Sequence, residues 1–252
     1  MIRLVKVTKI FKTLKAVDQL SLEVGEGAIF GFLGPNGAGK TTTIKMMAGI
    51  LKPTSGEIFI NGIDISRDPT AAKSQIGFIP DRPFLYEKLT GKEFLRFIAG
   101  LYGMNRKGSL HSRIEEELEL FDLLHWGDEL VESYSHGMKQ RLVMAAALLH
   151  EPKVLIVDEP MVGLDPRGAR LVKDIFQDEA RKGTTIFMST HSLDVAQEVC
   201  REVGVIQAGK LIARGSTREL EKIADMEGSL ESVFLKLTEG KRIAHGKPLS
   251  SS

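Results

Sequence analysis

A ten-residue stretch, GPNGAGKTTT at residues 34–43, constrains this chain more than any other feature of its sequence. It fits the pattern G-x-x-x-x-G-K-[ST], follows the apolar run AIFGFLG and merges into the helical pattern TTTIKMMAGIL. Glycines let backbone N–H groups turn inward around phosphate oxygens, and the start of a helix adds partial positive charge. Because this motif requires a strand before it and a helix after it, the stretch predicts a loop that binds a nucleoside triphosphate.

Two residues of this loop are expected to carry chemistry. Lys40 would reach the terminal phosphates and act in catalysis, and the Thr41 hydroxyl would ligate Mg²⁺, which binds through few protein oxygens. A glycine-rich turn that carries a lysine by chance is the alternative, and the flanking patterns argue against it. The expected ATP-binding residues of the loop are Gly34, Pro35, Asn36, Gly37, Ala38, Gly39, Lys40, Thr41 and Thr42.

The stretch KVLIVDEP, residues 153–160, supplies acidic groups. Four apolar residues predict a buried strand, and Asp158 follows at its carboxyl end, where ligands bind in open α/β sheets. We expect Asp158 to hold Mg²⁺ through water and Glu159 to act as general base on the attacking water, or to position that water. The alternative is two surface acids that merely end a strand.

A histidine follows the next apolar strand. In STHS, residues 189–192, His191 lies where it could donate a hydrogen bond to the γ-phosphate. A single histidine at a strand end is as often an ordinary surface group, so the pattern alone leaves both interpretations open.

A second pattern that suits an anion occurs far along the chain from the first. In YSHGMKQRLVMAAALL, residues 134–149, a Ser–His–Gly turn opens a helix that is apolar along one side. The Ser135 hydroxyl and the free N–H groups of a helix start can bind an anion. Ser135 could also cap its own helix, and it can do both. One site for a single nucleotide does not need two such cradles.

Composition limits the class of protein. The chain has 34 basic and 33 acidic side chains, a net charge of +1, so no strong field of one sign favours nucleic acid. One cysteine, Cys200, fits a reducing compartment. No run of 18 apolar residues is present, so we expect the chain not to cross a membrane by itself.

The patterns change along the chain. The first third alternates like β-strands, residues 84–149 are mostly helical in pattern, and apolar strands return in KVLIVDEP and TTIFMSTH. A helical stretch separates these two strands, which predicts a parallel sheet. VGVIQAGKLIARG predicts a hairpin near the end, and the final EGKRIAHGKPLSSS is polar and expected to be disordered.

Together these motifs resemble the nucleotide-binding subunit of ATP-binding cassette (ABC) transporters over residues 1–220, in the same order along the chain. YSHGM resembles the family signature L-S-G-G-Q, and GLD at residues 163–165 resembles the D-loop. His191 matches the switch histidine, and Phe11 matches the aromatic residue that stacks on adenine, although a strand-core role for Phe11 stays open. The resemblance adds these expected nucleotide-binding residues: Phe11, Val17, Ser135, Gly137 and Asp165.

The resemblance implies the fold class. It is an α/β protein with a P-loop NTPase (RecA-like) core, an N-terminal antiparallel β subdomain and an inserted α-helical subdomain. The cassette would cover residues 1–220, with the helical subdomain at approximately 82–150. Residues 221–252 would form a C-terminal extension.

The resemblance also implies a function: an ATPase subunit of an ABC transporter, with ATP and Mg²⁺ as cofactors. In the family, two such domains pair head to tail around two ATP molecules, so Ser135 and Gly137 would complete the site of a second subunit. ATP closes the dimer, hydrolysis reopens it, and the helical insert couples this motion to a separate integral membrane permease. We expect a homodimer at the cytoplasmic face of the membrane, export rather than import, and no nucleic-acid partner.

The chain departs from the family pattern at the nucleotide site. Asp81, in IGFIPDRPFLYEKLT, takes the position of the usual Q-loop glutamine; it could still approach Mg²⁺, but it adds negative charge near the phosphates. His136 and Met138 replace a glycine and the glutamine of the signature. Because Ser135 and Gly137 are retained, we expect catalysis to survive.

An apolar stretch follows Asp81 directly. Phe84, Leu85 and Tyr86 precede FLRFIAGLYGM, and some of these side chains must pack the core of the insert. As in the family, a subset is expected to receive a short cytoplasmic helix of the permease beside the Q-loop.

Other proteins with such a phosphate loop fit less well. Soluble ABC ATPases of DNA repair or chromosome structure carry long coiled coils, for which there is no room between Lys40 and Ser135. Ribosome-associated ABC ATPases carry two cassettes, and GTPases need a guanine-reading Asn-Lys-x-Asp, which this sequence lacks. A soluble ABC-type ATPase that acts on the ribosome or DNA is the alternative function.

Overall fold

The computed structural model describes residues 1–82, 84–104, 109–226 and 228–239. The strands are β1 (Ile2–Phe11), β2 (Leu14–Val24), β3 (Ile29–Leu33), β4 (Ser55–Ile60), β5 (Ile63–Asp64), β6 (Ile76–Ile79), β7 (Val154–Asp158), β8 (Thr185–Ser189), β9 (Glu202–Gln207) and β10 (Lys210–Gly215). The helices are α1 (Lys40–Met47), α2 (Pro69–Ser74), α3 (Gly91–Leu101), α4 (Ser109–Leu120), α5 (His136–Leu148), α6 (Pro166–Arg181), α7 (Leu193–Val199), α8 (Thr217–Ala224) and α9 (Leu230–Glu239). Short 3₁₀ turns occupy Leu124–Trp126 and Val131–Ser133.

A six-stranded sheet in the order β10-β9-β3-β8-β7-β6 forms the centre of the molecule. Its strands run parallel except β10, which returns from β9 as an antiparallel hairpin, so the predicted parallel sheet and hairpin are confirmed. The strands β3, β7 and β8 are buried along their whole length, which explains their continuous apolar sequences. Because they are parallel, their carboxyl ends bring three loops to one edge.

The two faces of this sheet contribute to different cores. On β7, Val154 and Ile156 pack with α1 and the N-terminal strands, whereas Leu155 and Val157 pack with the helices of the insert and α6. This alternation follows from the pleat of the strand, which sends successive side chains to opposite faces. The sheet is therefore covered on both sides.

A second sheet, in the order β2-β1-β4-β5, is antiparallel, as predicted for the first third of the chain. Its inner face is apolar and packs over α1 and Phe30 and Phe32 of β3. The aromatic rings of Phe32 and Phe187, on the neighbouring strands β3 and β8, lie 5.2 Å apart in the core that packs against this second sheet. This packing holds β1, with Phe11 at its end, beside the phosphate loop that follows β3.

The helices α3, α4 and α5 lie between β6 and β7 in the chain. Thr90 and Glu93 form a reciprocal capping box that fixes the start of α3. The helix α5 is buried over most of its length and contacts both the other insert helices and β6. It therefore joins the helical part to the central sheet.

The described chain stays folded beyond residue 220, and the boundary of the cassette at that residue stays a prediction. That boundary falls inside α8, and Leu230 and Val233 of α9 are fully buried against β9 and α7. The apolar residues Leu230, Val233, Phe234 and Leu237 of α9 recur at helical spacing and form one face against this core. The predicted disorder concerns residues 239–252; Glu239 is the last residue of α9, and 240–252 lie outside the described residues. Across the described ranges, no helix is both long enough and apolar enough to cross a membrane.

Candidate active site

A cavity of about 940 Å³ opens at the carboxyl ends of β3, β7 and β8. The loop after β3, the acidic end of β7 and the histidine after β8 all line it. Its volume is in the range of pockets that hold nucleotide-sized ligands. The predicted site residues at this cavity are Phe11, Asn36, Gly37, Ala38, Gly39, Lys40, Thr41, Thr42, Asp81, Asp158, Glu159 and His191.

The phosphate loop leaves the start of α1 open to an anion. Gly39 precedes the helix with φ 111°, and a Cβ there would lie 2.5 Å from the carbonyl oxygen of Ala16. No side chain caps this helix, and its first turn carries no acidic residue. Because the first N–H groups of a helix have no partner within it, they are free to donate to phosphate oxygens. The backbone therefore fits the phosphates of a nucleotide.

Lys40 turns its ammonium group into the loop. Nζ donates to the carbonyl oxygens of Gly34 (2.5 Å) and Pro35 (3.3 Å), so these two residues hold the lysine and do not line the cavity. Burial lowers the pKa of Lys40, and the nearby carboxylates of Glu159 and Asp158 partly offset this. A phosphate oxygen in the cavity would compete with the two carbonyls for the same donor.

The two acids at the end of β7 differ in surroundings. Asp158 is buried and accepts a hydrogen bond from the hydroxyl of Ser189, its neighbour on β8. Glu159 has φ +54°, a conformation that non-glycine residues rarely adopt, and its N–H donates to the Ser189 carbonyl oxygen at 3.1 Å. The Asp158 carboxylate is therefore buried at the edge of the sheet, and the turn at Glu159 places the Glu159 carboxylate at the wall of the cavity.

The metal ligands expected from the sequence, Thr41, Asp158 and Asp81, line the same cavity. Within the described residues, no group of three or more His, Cys, Asp or Glu side chains is arranged to hold a metal ion. Mg²⁺ keeps several waters and binds readily through one or two carboxylates plus substrate phosphates. The donors present fit an ion that arrives with ATP better than a site built from protein alone.

His191 and Glu159 form a direct contact that the sequence did not predict. Nδ1 of His191 lies 2.9 Å from Oε2 of Glu159, and the His191 N–H donates to the same oxygen at 3.3 Å. The Glu159 side chain is 16% exposed and that of His191 is 67% exposed. The histidine therefore fixes one carboxylate oxygen while its own ring stays open to the cavity.

Phe11 forms an apolar wall at the far end of the cavity. Its side chain is 44% exposed, and Nζ of Lys9 lies 5.2 Å from the ring centroid. The structure does not support Val17 at this wall, because Val17 points into the core and is fully buried. Its neighbours 14–16, at the exposed start of β2, line the cavity in its place.

Three expected site residues lie elsewhere: Ser135 and Asp165 cap helices in this chain, and Gly137 lies in the first turn of α5. Among the described residues, the lining of the cavity does not include Ser135, Gly137 or Asp165. The Ser135 hydroxyl accepts the Met138 N–H at 3.3 Å at the start of α5. Asp165 accepts the Gly168 N–H at 2.8 Å at the start of α6. Their predicted roles toward ATP on a second subunit remain predictions.

Asp81 joins the cavity to a second, apolar groove of about 590 Å³. Phe84 and Tyr86 line this groove and are 81% and 48% exposed, with their rings edge-on at 5.5 Å. Leu85 is buried in the core of the helical insert. The groove therefore offers two exposed aromatic side chains beside the nucleotide cavity.

The turn between β9 and β10 also contributes to the site, and the sequence analysis missed it. Ala208 and Gly209 line the cavity, and the Gly209 N–H donates to the carbonyl oxygen of Ala38 at 2.9 Å. The only signal was a short turn between two strand patterns. Nothing local to it indicated contact with the phosphate loop, which precedes it by most of the chain.

Comparison with known proteins gives a consistent result. The family model described as "ABC transporter" matches residues 17–162. The chain is 44% identical over 209 residues to ABC transporter A family member 8 of Arabidopsis thaliana, covering 82% of this chain and 23% of that protein. It is 42% identical over 212 residues to the bacitracin transport ATP-binding protein BcrA of Bacillus licheniformis, covering 84% of this chain and 68% of that protein. It is 39% identical over 222 residues to the daunorubicin resistance ATP-binding protein DrrA3 of Streptomyces coeruleorubidus, covering 88% of this chain and 69% of that protein.

The chain thus spans about two thirds of these bacterial relatives and less than a quarter of the plant protein. Among solved structures, the ATP-binding subunit of an ABC transporter superposes with TM-score 0.88 at 30% identity, covering 94% of this chain and 99% of that chain. A dimeric ATP-binding cassette in a post-hydrolysis state, bound to ADP and Pi, superposes with TM-score 0.76 at 25% identity, covering 86% of this chain and 98% of that chain.

Proposed function

Because this chain belongs to the ABC transporter family and contains its ATPase domain, we propose that it binds and hydrolyses ATP to drive a separate membrane permease. The observation that carries the proposal is the convergence of Lys40, Asp158, Glu159 and His191 on one cavity, with Glu159 and His191 in contact at 2.9 Å. A site that only bound nucleotide would not need a held carboxylate opposite a phosphate loop.

The phosphates of ATP would lie against the start of α1. The N–H groups of the loop and the Lys40 ammonium supply hydrogen-bond donors that stabilise negative charge on the phosphate oxygens during phosphoryl transfer. The Thr41 hydroxyl and the Asp158 carboxylate would hold Mg²⁺, and Asp81 lines the same wall. When bound, Mg²⁺ neutralises charge on the phosphate oxygens. The ring of Phe11 would stack on adenine.

Glu159 would accept a proton from water, or orient that water, for attack on the γ-phosphate. Its free oxygen can do this because His191 and the backbone hold the other one. A carboxylate with one fixed oxygen loses rotational freedom before the reaction rather than during it. In this role His191 positions Glu159 and can also donate to the γ-phosphate from its exposed edge.

The proposal includes a head-to-tail homodimer. Ser135 and Gly137 lie at a helix start outside the cavity of their own chain, so the phosphates they would cap belong to a second subunit. A dimeric cassette bound to ADP and Pi is among the structures this chain resembles. Binding of ATP would favour the closed dimer, and hydrolysis would remove that differential affinity.

The permease would dock at the apolar groove of Asp81, Phe84 and Tyr86. A short amphipathic helix binds such a groove through a few apolar anchors. The chain would then lie at the cytoplasmic face of the membrane as a peripheral subunit. Export is proposed because two relatives are named for bacitracin transport and daunorubicin resistance.

Co-purification tests this proposal. The Glu159→Gln variant is expressed in the native host, and membranes are solubilised gently with ATP and Mg²⁺, because slow hydrolysis should hold the closed complex. A multi-span membrane protein in stoichiometric yield would support the proposal and identify the permease. Recovery with ribosomes or DNA, or only in the soluble fraction, would overturn the transporter role.

Matched substitutions separate docking from general damage. Phe84→Asp in the Glu159→Gln background should release the membrane protein. Leu101→Asp is the control, because Leu101 is 68% exposed on the same insert but does not line the groove. Equal loss from both variants would contradict docking at the groove.

A further inference from the structure

The first residue of α5 contacts the loop between β7 and α6. The imidazole of His136 lies against Gly163, which has φ +80°. A Cβ at position 163 would lie 2.0 Å from Cδ2 and 2.4 Å from Nε2 of His136. Real side chains do not approach this closely, so the ring fills the space that any side chain at position 163 would need.

The contact continues along both segments. A Cβ on Gly137 would lie 3.4 Å from the Gly163 carbonyl oxygen and 3.8 Å from Cδ2 of Leu164. Leu164 in turn packs against the apolar core that includes α5. The start of α5 and the middle of this loop therefore form one packed unit.

Both ends of the same loop carry groups of the proposed reaction. It begins at Glu159 and ends at Asp165, which caps α6. Within it, the Val162 N–H donates to the Glu159 carbonyl oxygen at 3.3 Å, and the Leu164 N–H donates to that of Met161 at 3.3 Å. These two short turns connect position 163 to Glu159, so a shift of Gly163 would change the orientation of the Glu159 carboxylate.

We propose that His136 is a positioning residue: its imidazole holds the loop at Gly163 and thereby keeps Glu159 oriented for the attacking water. This inference rests on the proposed ATPase function. Among the described residues, those lining the chain's own nucleotide cavity do not include His136, and the proposed contacts to the second subunit's ATP come from its neighbours Ser135 and Gly137. The effect of His136 through the loop should therefore appear in kcat rather than in KM for ATP. His136 also lines the apolar groove, where a docked segment would touch the same ring.

A double-mutant cycle on His136 and Gly163 tests this. Gly163→Ala forces the new methyl group into the ring and should lower kcat about 100-fold, the size expected when a catalytic group is misplaced by about 1 Å. His136→Ala alone should lower kcat about threefold, through a looser loop. The double variant should recover to within about tenfold of the wild type, because only the unfavourable φ of an alanine at 163 remains. Independent effects would instead multiply to about 300-fold.

Lys139→Ala is the matched control, because Lys139 lies on the same helix and groove but does not contact Gly163. It should not rescue Gly163→Ala. The midpoint of thermal unfolding is measured for the same four proteins. Adding His136→Ala to Gly163→Ala should again restore most of the decrease in this midpoint that Gly163→Ala causes. Recovery in both measurements supports the inference; additive losses overturn it. If Gly163→Ala does not fold, recovery of folded protein in the double variant is the supporting result and its absence the overturning one.

The outcome is distinguishable from failure of the proposed function. A wild-type protein that hydrolyses ATP, with Glu159→Gln inactive, supports the ATPase proposal even where the cycle is additive. A wild-type protein that does not hydrolyse ATP overturns the proposed function and the positioning role of His136 together, and the unfolding cycle still decides whether the contact exists.

Discussion

Replacing Glu117 by glutamine is expected to stabilise the protein above neutral pH. Glu117 lies on α4, is 3% exposed, and has one oxygen 2.8 Å from Nη2 of Arg113. Its other oxygen has no hydrogen-bond partner among the described residues. Burial raises the pKa of Glu117 to about 7, and the attraction of Arg113 only partly opposes this. Glu179 on α6 raises this pKa further, and Lys182, just after the end of α6, lowers it.

The magnitude follows from the difference between this pKa, about 7, and the ordinary value of 4.5. Each pKa unit corresponds to about 1.4 kcal/mol, so the charged form loses up to about 3 kcal/mol of stability relative to the protonated form. The folded state binds the proton more tightly than the unfolded state. The stability contribution of the protonated form is therefore complete below pH 4.5 and is lost as the pH rises through about 7.

Glutamine keeps the shape of the protonated acid and removes this pH dependence. Arg113 would lose one partner but keep Glu116 and Glu151 at 3.8 and 3.6 Å. We therefore expect Glu117→Gln to gain about 1–3 kcal/mol at pH 8 and little at pH 5. Urea unfolding at both values measures the change, and Glu116→Gln, 64% exposed on the same helix, is the control. Equal pH slopes for wild type and Glu117→Gln would refute the reasoning.

Further predictions concern the nucleotide cavity and the C-terminal helix. Phe11→Ala should weaken ATP binding about tenfold, whereas Phe11→Trp should retain it, as measured by calorimetric titration; similar losses for both would argue against stacking. His191→Ala should lower kcat about 100-fold with little change in KM, measured by phosphate release, and an unchanged kcat would contradict the Glu159 contact. Chelation of Mg²⁺ should reduce phosphate release to background, and added Mg²⁺ should restore it; activity that survives chelation would contradict the metal role. Gln207→Leu removes the 2.8 Å bond from Nε2 to the Thr238 carbonyl oxygen and should cost about 1 kcal/mol in thermal unfolding, where no change would show that α9 does not depend on this bond.

The parts of the site that follow from sequence are those encoded locally. Lys40 and Thr41 belong to one short motif, and Asp158 follows directly from a buried apolar strand. Parallel strands then bring these separate stretches to one edge, so their meeting could be predicted without knowing any contact. The strands of the first third were predictable from their alternation, and the parallel pairing of β7 and β8 from the helix between them, whereas the antiparallel pairing of the N-terminal sheet was expected from the family resemblance.

The rest depends on contacts between distant segments. Val17 was predicted to bind the nucleotide, but its side chain is buried in the core and the exposed start of β2, residues 14–16, lines the cavity instead. The Gly209 bond to Ala38 and the fit of His136 on Gly163 join stretches that carry no shared pattern. The packing of α8 and α9 against β9 and α7 likewise depends on contacts between distant segments, which the average polarity of α8 does not reveal.

The central claim is that each ATP is completed by Ser135 and Gly137 of a second subunit. Mixing two inactive variants, Lys40→Ala and Ser135→Arg, tests it by ATPase assay. If the site forms between subunits, each mixed dimer has one site that is intact in both halves. Half of the dimers would be mixed, so the activity should recover to at most about one quarter of the wild type. If Ser135 served the nucleotide of its own chain, every site would carry a lesion, and the mixture would stay as inactive as its components.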